Sequence, residues 1–193
     1  MKNKKTFFII ALVFVLLIGG ATVLYRQLGK NIAAEQLATQ STNQSDESAA
    51  GETEQKIKAP DFTVCDADGN EVHLADYIGK PIVLNFWASW CGPCQSEMPD
   101  FHEKYLELGD DVHFLMINMT DGARETVESA SAFIAKNGYA FPVFYDTKSD
   151  AASTYGAYSL PTTFFIDADG YAIAQATGAI DAETLQRGLD MIK

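Results

Sequence analysis

Two cysteines three residues apart, Cys91 and Cys94, are the side chains of this sequence best placed to do chemistry. They follow the apolar run Pro81 to Trp87, which predicts a buried strand. They open the stretch Cys94 to Leu108, where Met98, Phe101, Tyr105 and Leu108 recur on one helical face. A strand-to-helix junction puts the pair at a helix N-terminus. Free N–H groups and about half a unit of positive charge stabilise a thiolate there. The thiol pKa should then fall below its free value of about 8.5. Cys91 is expected at the exposed tip and Cys94 about one turn inside, shielded. Cys91 would attack, or be attacked, first, and Cys94 would resolve the mixed disulfide. Gly92 leaves room for a substrate backbone. Pro93 suits a first helical turn, where its missing N–H is not needed.

Other uses of the pair are weaker. Half a zinc site needs two more ligands, yet Cys65 has no cysteine neighbour and His73, His102 and His113 are scattered. A static structural disulfide is the second alternative, but the strand-to-helix junction is where redox pairs sit. No metal and no cofactor is expected. Alternation along Phe62 to Cys65 puts Cys65 on the side away from Phe62, either as a half-buried inert thiol or as a regulatory or partner-contacting one. The turns Asp66-Ala67-Asp68-Gly69 and Asp167-Ala168-Asp169-Gly170 lack the further acidic ligands of a calcium loop and read as hairpin turns.

The elements around the pair alternate. Short strands are predicted at Phe62–Cys65 and Glu71–Leu74, a second central strand at Val112–Met119, and a helix over Ala123–Asn137 stopped by Gly138. A short strand at Pro142–Tyr145 and a short helix at Ser149–Tyr155 follow. A hairpin at Thr162–Ile166 and Ala172–Ala176 comes next, then a closing helix over Asp181–Ile192. This order predicts an α/β layer fold with a mixed sheet.

The N-terminal part reads differently. Residues 6–25 carry no charge and follow Lys2, Lys4 and Lys5. About twenty apolar residues span roughly 30 Å as a helix, which predicts a transmembrane signal-anchor over 1–26 with the body outside the cytoplasm. A cleaved signal peptide, using Gly19 and Ala21, is the alternative. Residues 27–58 are rich in Gln, Ser, Thr and Ala and read as a flexible linker, leaving 59–193 as the folded domain. With 14 basic against 26 acidic residues and a net charge of −12, the chain lacks the surplus of cations that a nucleic-acid binder needs. A monomer is expected.

The stretch Asn85-Phe86-Trp87-Ala88-Ser89-Trp90-Cys91-Gly92-Pro93-Cys94-Gln95-Ser96-Glu97-Met98-Pro99 resembles the active-site signature of the thioredoxin superfamily. Together with Ala59-Pro60-Asp61-Phe62-Thr63, Leu74–Lys80 and Leu160-Pro161-Thr162-Thr163, it is most similar to the membrane-anchored TlpA/ResA-like branch. The resemblance covers residues 59–193. It implies a thioredoxin fold with an N-terminal β-hairpin extension and a central insertion at about 121–139, preceded by one transmembrane helix and the linker. It implies that Pro161 is cis and, beside Leu160, offers backbone groups to a substrate peptide. Trp90 would cover the pair, and Pro99 would kink the helix. Asn85 stands where thioredoxins carry a buried Asp, so no proton can be managed there. Gly92 stands where some heme-maturation members carry Glu. Glu97 is then either a local acid or base or an exposed helix residue.

The implied activity is reduction of disulfides in exported client proteins at the cell membrane. Apocytochrome c and a surface methionine sulfoxide reductase are the expected kinds of client, and a membrane-embedded protein the expected electron donor. Two alternatives are carried alongside: a non-catalytic peptide-binding module using the Pro161 groove, and a peroxiredoxin-type peroxidase. The peroxidase would need Pro and Thr where Leu84 and Ala88 stand.

Overall fold

The apolar run before the cysteine pair becomes the middle of a mixed sheet. In the computed structural model, which describes residues 37–39 and 56–193, the strands are β1 (Leu37–Thr39), β2 (Ile57–Lys58), β3 (Thr63–Cys65), β4 (Glu71–His73), β5 (Ile82–Trp87), β6 (His113–Asn118), β7 (Val143–Tyr145), β8 (Thr162–Ile166) and β9 (Tyr171–Thr177). The helices are α1 (Gly92–Leu108), α2 (Val127–Asn137), α3 (Asp150–Tyr155) and α4 (Ala182–Ile192), with a 3-10 turn at Leu74–Tyr77.

The sheet order is β1-β9-β8-β5-β6-β7-β3-β4, with β2 also on β9. β5 pairs in parallel with β6 and antiparallel with β8. Every residue of β5 is buried, as a strand covered on both faces requires. Val83 and Trp87 face a cluster with Met98 and Phe101 of α1 and Leu185 and Leu189 of α4. Ile82, Leu84 and Phe86 face the opposite cluster, with Phe62, Val64 and Leu74. Burying one such large apolar side chain stabilises the fold by about 1.5–3 kcal/mol. Both layers therefore hold β5, and with it the junction into α1.

Two expectations shift. The predicted helix over 123–137 starts later, at Val127. Asp121 Oδ1 first accepts the N–H groups of Ala123, Arg124 and Glu125 at 2.8, 2.8 and 2.9 Å, closing a turn. Thr126 then caps the helix, its Oγ1 accepting from Ser129 N at 3.1 Å. Gly138 ends it with φ 70°, as expected. The segment 27–58, read as linker, carries two strands: Leu37–Thr39 pairs with Ala174–Ala176 and Ile57–Lys58 with Tyr171–Ala172. Main-chain pairing to β9 does most of this, with Leu37 packed on the core, and one such residue in a polar stretch does not mark its composition. The helix α1 runs through Pro99. That residue cannot donate to the carbonyl four residues back. The apolar run 6–25 and the rest of 27–55 lie outside the described residues. Among the described residues no helix is long and apolar enough to cross a membrane.

α4 reaches the sheet through Gly188. A Cβ there would lie 2.2 Å from the Phe165 ring, and Phe165 is fully buried with no room to swing. Overpacking costs about 1–3 kcal/mol, more than the helix propensity of about 1 kcal/mol that alanine returns. Gly188→Ala should therefore lower the stability measured by urea unfolding by about 1–2 kcal/mol. An unchanged or higher midpoint would contradict this packing.

Candidate functional site

Cys91 is the N-cap of α1, extended at φ −81° and ψ 106°, and its Sγ accepts from the Cys94 N–H at 3.2 Å. The backbone turns into the helix through Cys91 N–H to Ala88 C=O at 3.1 Å and Gln95 N–H to Cys91 C=O at 3.0 Å. The two sulfurs form a disulfide with Cα atoms 5.3 Å apart. Cys94 is fully buried, as expected. Cys91 is not at an exposed tip: only 4% of its surface is open. The reason is local. Cys91 lies on the floor of a groove of about 520 Å³, walled by Trp90, Pro93, Arg124, Tyr158 and Leu160, and its sulfur is also bonded to Cys94.

Leu160-Pro161 is the cis peptide that the resemblance implied. The Pro161 carbonyl, expected to be offered to a peptide, accepts instead from Gly178 N–H at 2.9 Å. This redirects the expectation to Leu160, which lines the groove and whose main chain pairs with no other described residue. Gly92 and Pro93 are exposed at the mouth. A Cβ on Gly92 would meet nothing within 4 Å, so close approach there concerns the substrate alone.

Glu97 is an interior group, not an exposed helix residue. It is 2% exposed. Oε1 accepts from Asn85 Nδ2 at 2.9 Å and Oε2 from Ile180 N–H at 3.0 Å. Burial pushes its pKa from 4.5 up to about 7, against the two hydrogen bonds that favour the carboxylate. Asn85 also donates to Thr163 Oγ1 at 3.0 Å, while its own Oδ1 is buried without a partner among the described residues. Three residues beyond Cys94, Glu97 shares its helical face. A titratable group thus sits beside the inner cysteine even though Asn85 cannot titrate.

Two residues of the site carried no signal in the sequence. Glu125, fully buried, accepts from Ser89 N–H at 2.9 Å, Ser89 Oγ at 2.7 Å and Asn118 Nδ2 at 2.7 Å. It ties the loop after β6 to the segment two residues before Cys91. Arg124, its neighbour, lies with Cζ 3.4 Å from the centre of the Trp90 ring. Trp90, expected to cover the pair, is 41% exposed and forms one wall. Only their spacing in the fold, not in the chain, brings these residues together. No group of metal-ligating residues occurs among the described residues. Cys65 faces away from buried Phe62 and Val64, half-exposed, with Thr147 Oγ1 4.0 Å away.

A disulfide at the start of a helix, beside a cis-proline loop on a mixed sheet, defines a thioredoxin-type redox site. The comparisons agree. Residues 56–174 match the AhpC/TSA family, and the chain belongs to it. It is 37% identical over 136 residues to the thiol-disulfide oxidoreductase ResA of Geobacillus thermodenitrificans, covering 70% of this chain and 76% of that protein. It is 31% identical to ResA of Bacillus subtilis over 136 residues, 70% of this chain and 74% of that protein. Among solved structures, StoA of Bacillus subtilis superposes with a TM-score of 0.58 at 26% identity, covering 67% of this chain and 96% of that one. The exposed lipoprotein thioredoxin of Streptococcus pneumoniae superposes with a TM-score of 0.58 at 34% identity, covering 68% and 98%. The chain is a thiol-disulfide oxidoreductase with a thioredoxin-like fold.

Between pH 4.5 and about 7, Glu97 of the folded protein holds a proton that the unfolded chain has lost. This contribution to stability is fully present below 4.5 and is lost as pH rises to 7, by about 3 kcal/mol. Glu97→Gln should remove that slope from the oxidised protein's stability between pH 4.5 and 7. Parallel pH profiles for the two proteins would show that folding leaves the Glu97 pKa unchanged.

Proposed function

We propose that the protein reduces disulfides of exported client proteins from the outer face of a membrane. The observation that carries the redox part is the Cys91 Sγ at the N-cap of α1, accepting the Cys94 N–H. In the dithiol state that donor and the helix dipole favour a Cys91 thiolate. It attacks a client disulfide held along Leu160. One client sulfur leaves as thiolate and the other is joined to Cys91. Cys94 then loses its proton, for which Glu97 is the acceptor in reach along the helix, and attacks Cys91 Sγ. The client leaves as a dithiol, the Cys91–Cys94 disulfide remains, and two electrons have passed to the client. A donor must return them. A membrane-embedded dithiol protein would suit a chain whose basic, apolar start at 1–26 reads as an anchor.

The Gly92-Pro93 dipeptide, shared with reducing thioredoxins, supports the reducing direction. The name of the relatives, thiol-disulfide oxidoreductase, supports the exchange chemistry in either direction. Apocytochrome c and a surface methionine sulfoxide reductase are the client classes proposed. A peroxidase is not favoured: Leu84 and Ala88, where the peroxiredoxin pattern needs Pro and Thr, are fully buried apolar residues.

The full chain in detergent should reduce insulin disulfides, and Cys91→Ser should abolish the activity. Cys94→Ser should instead accumulate a client joined to Cys91, separable by dithiothreitol. Retained peptide binding with no turnover in the native chain would leave the non-catalytic module standing. A reduction potential near −120 mV rather than near −270 mV would reverse the proposed direction.

A further inference from the structure

Arg124 is an unusual group to find at the rim of this site. The chain is acidic, net −12, yet the ionic side chain that lines the groove together with Cys91, besides Asp121, is a guanidinium. Asp121 does not neutralise it by contact: no ion pair to Arg124 lies within 4.0 Å among the described residues. Asp121 is occupied as the turn acceptor. The backbone N–H groups of Glu125, Ala123 and Arg124 hold its carboxyl below the usual range, and the Arg124 charge adds to this.

The position of Arg124 is set rather than loose. Its backbone N–H donates to Asp121 Oδ1 at 2.8 Å. The next residue, Glu125, is anchored by Ser89 and Asn118. Its guanidinium lies over Trp90, Cζ 3.4 Å from the ring centre, and Trp90 adjoins Cys91 in the chain. An aromatic face can satisfy the flat side of a guanidinium but not its N–H groups, which lie in the plane and point past the ring. Those donors have no carboxylate within 4.0 Å among the described residues and a geometry that fits one.

We propose that Arg124 is a specificity residue that selects client disulfides carrying an Asp or Glu side chain next to the reacting cysteine. The proposal rests on the disulfide-reducing reading above and names the substrate class of that same groove. A client segment laid along Leu160 with its sulfur at Cys91 brings its flanking side chains towards the Trp90–Arg124 wall. The overall negative charge of the protein repels acidic segments at long range, so a preference for them can come only from a local cation. The contact is partly exposed, so salt should weaken it.

The test uses the pre-reduced full chain and three blocked pentapeptide disulfide dimers with Glu, Gln or Lys on both sides of the cysteine. The reading is the second-order rate constant for oxidation of the protein. The native chain should react in the order Glu, Gln, Lys, with the Glu dimer about threefold or more ahead of the Gln dimer at low salt. Arg124→Gln should flatten the order, and Arg124→Glu should invert it in favour of the Lys dimer, which a purely structural role for Arg124 would not do. Equal native rates, or a native order that survives in Arg124→Gln, would overturn the proposal and leave the redox reading intact. No reaction with any dimer would overturn the redox reading itself.

Discussion

The structure turns on one short contact, the 3.2 Å approach of the Cys94 N–H to Cys91 Sγ. An N-cap position normally takes Ser, Thr, Asp or Asn, whose oxygen accepts an orphan N–H of the first turn. Here a sulfur takes that place. The same donor that would cap a helix becomes a stabiliser of a thiolate, and the first turn of α1 serves both folding and chemistry. Pro93 adds to this because it has no N–H to leave open in that turn.

The rest of the fold keeps that contact in place. β5 is buried on both faces and delivers Cys91 at its end. Glu125 grips Ser89 from the loop after β6, and Glu97 joins α1 to β5 and to the segment before α4 through Asn85 and Ile180. Both acids are buried, but they differ in what they do. Glu125 accepts three hydrogen bonds and fixes backbone. Glu97 accepts two, has a pKa near 7 and can exchange a proton in the working range. The loop that carries Glu125 also carries Arg124, so one anchored segment both holds the cysteine loop and furnishes a wall of the groove.

Much of this was legible in the chain because it is local. The strand–Cys-x-x-Cys–helix junction, the Asp-Gly hairpins and the Gly138 stop all depend on residues within a few positions of each other. Asp66 illustrates it, accepting from the N–H groups of Asp68 and Asn70 within its own turn. What was not legible depends on distant partners. Glu97 looks like a surface residue until Ile180, 83 positions away, closes over it. The groove that buries Cys91 is made by Tyr158 and Leu160 coming from the far side of the chain. Leu37–Thr39 pairs through its main chain with one side chain, Leu37, half-buried on the core, too little to mark the composition of a polar stretch. The late start of α2 follows from Asp121 capturing three N–H groups, a competition between side chain and helix that periodicity does not register.

The most direct measurement is the rate of alkylation of Cys91 by iodoacetamide against pH in the reduced full chain. Comparison with Cys91→Ser assigns the signal. The expected titration lies clearly below the free-cysteine value of about 8.5, with the fast-reacting thiol lost in the variant. A midpoint at or above about 8.5 would contradict it, because the N-cap sulfur would then gain nothing from the helix it begins.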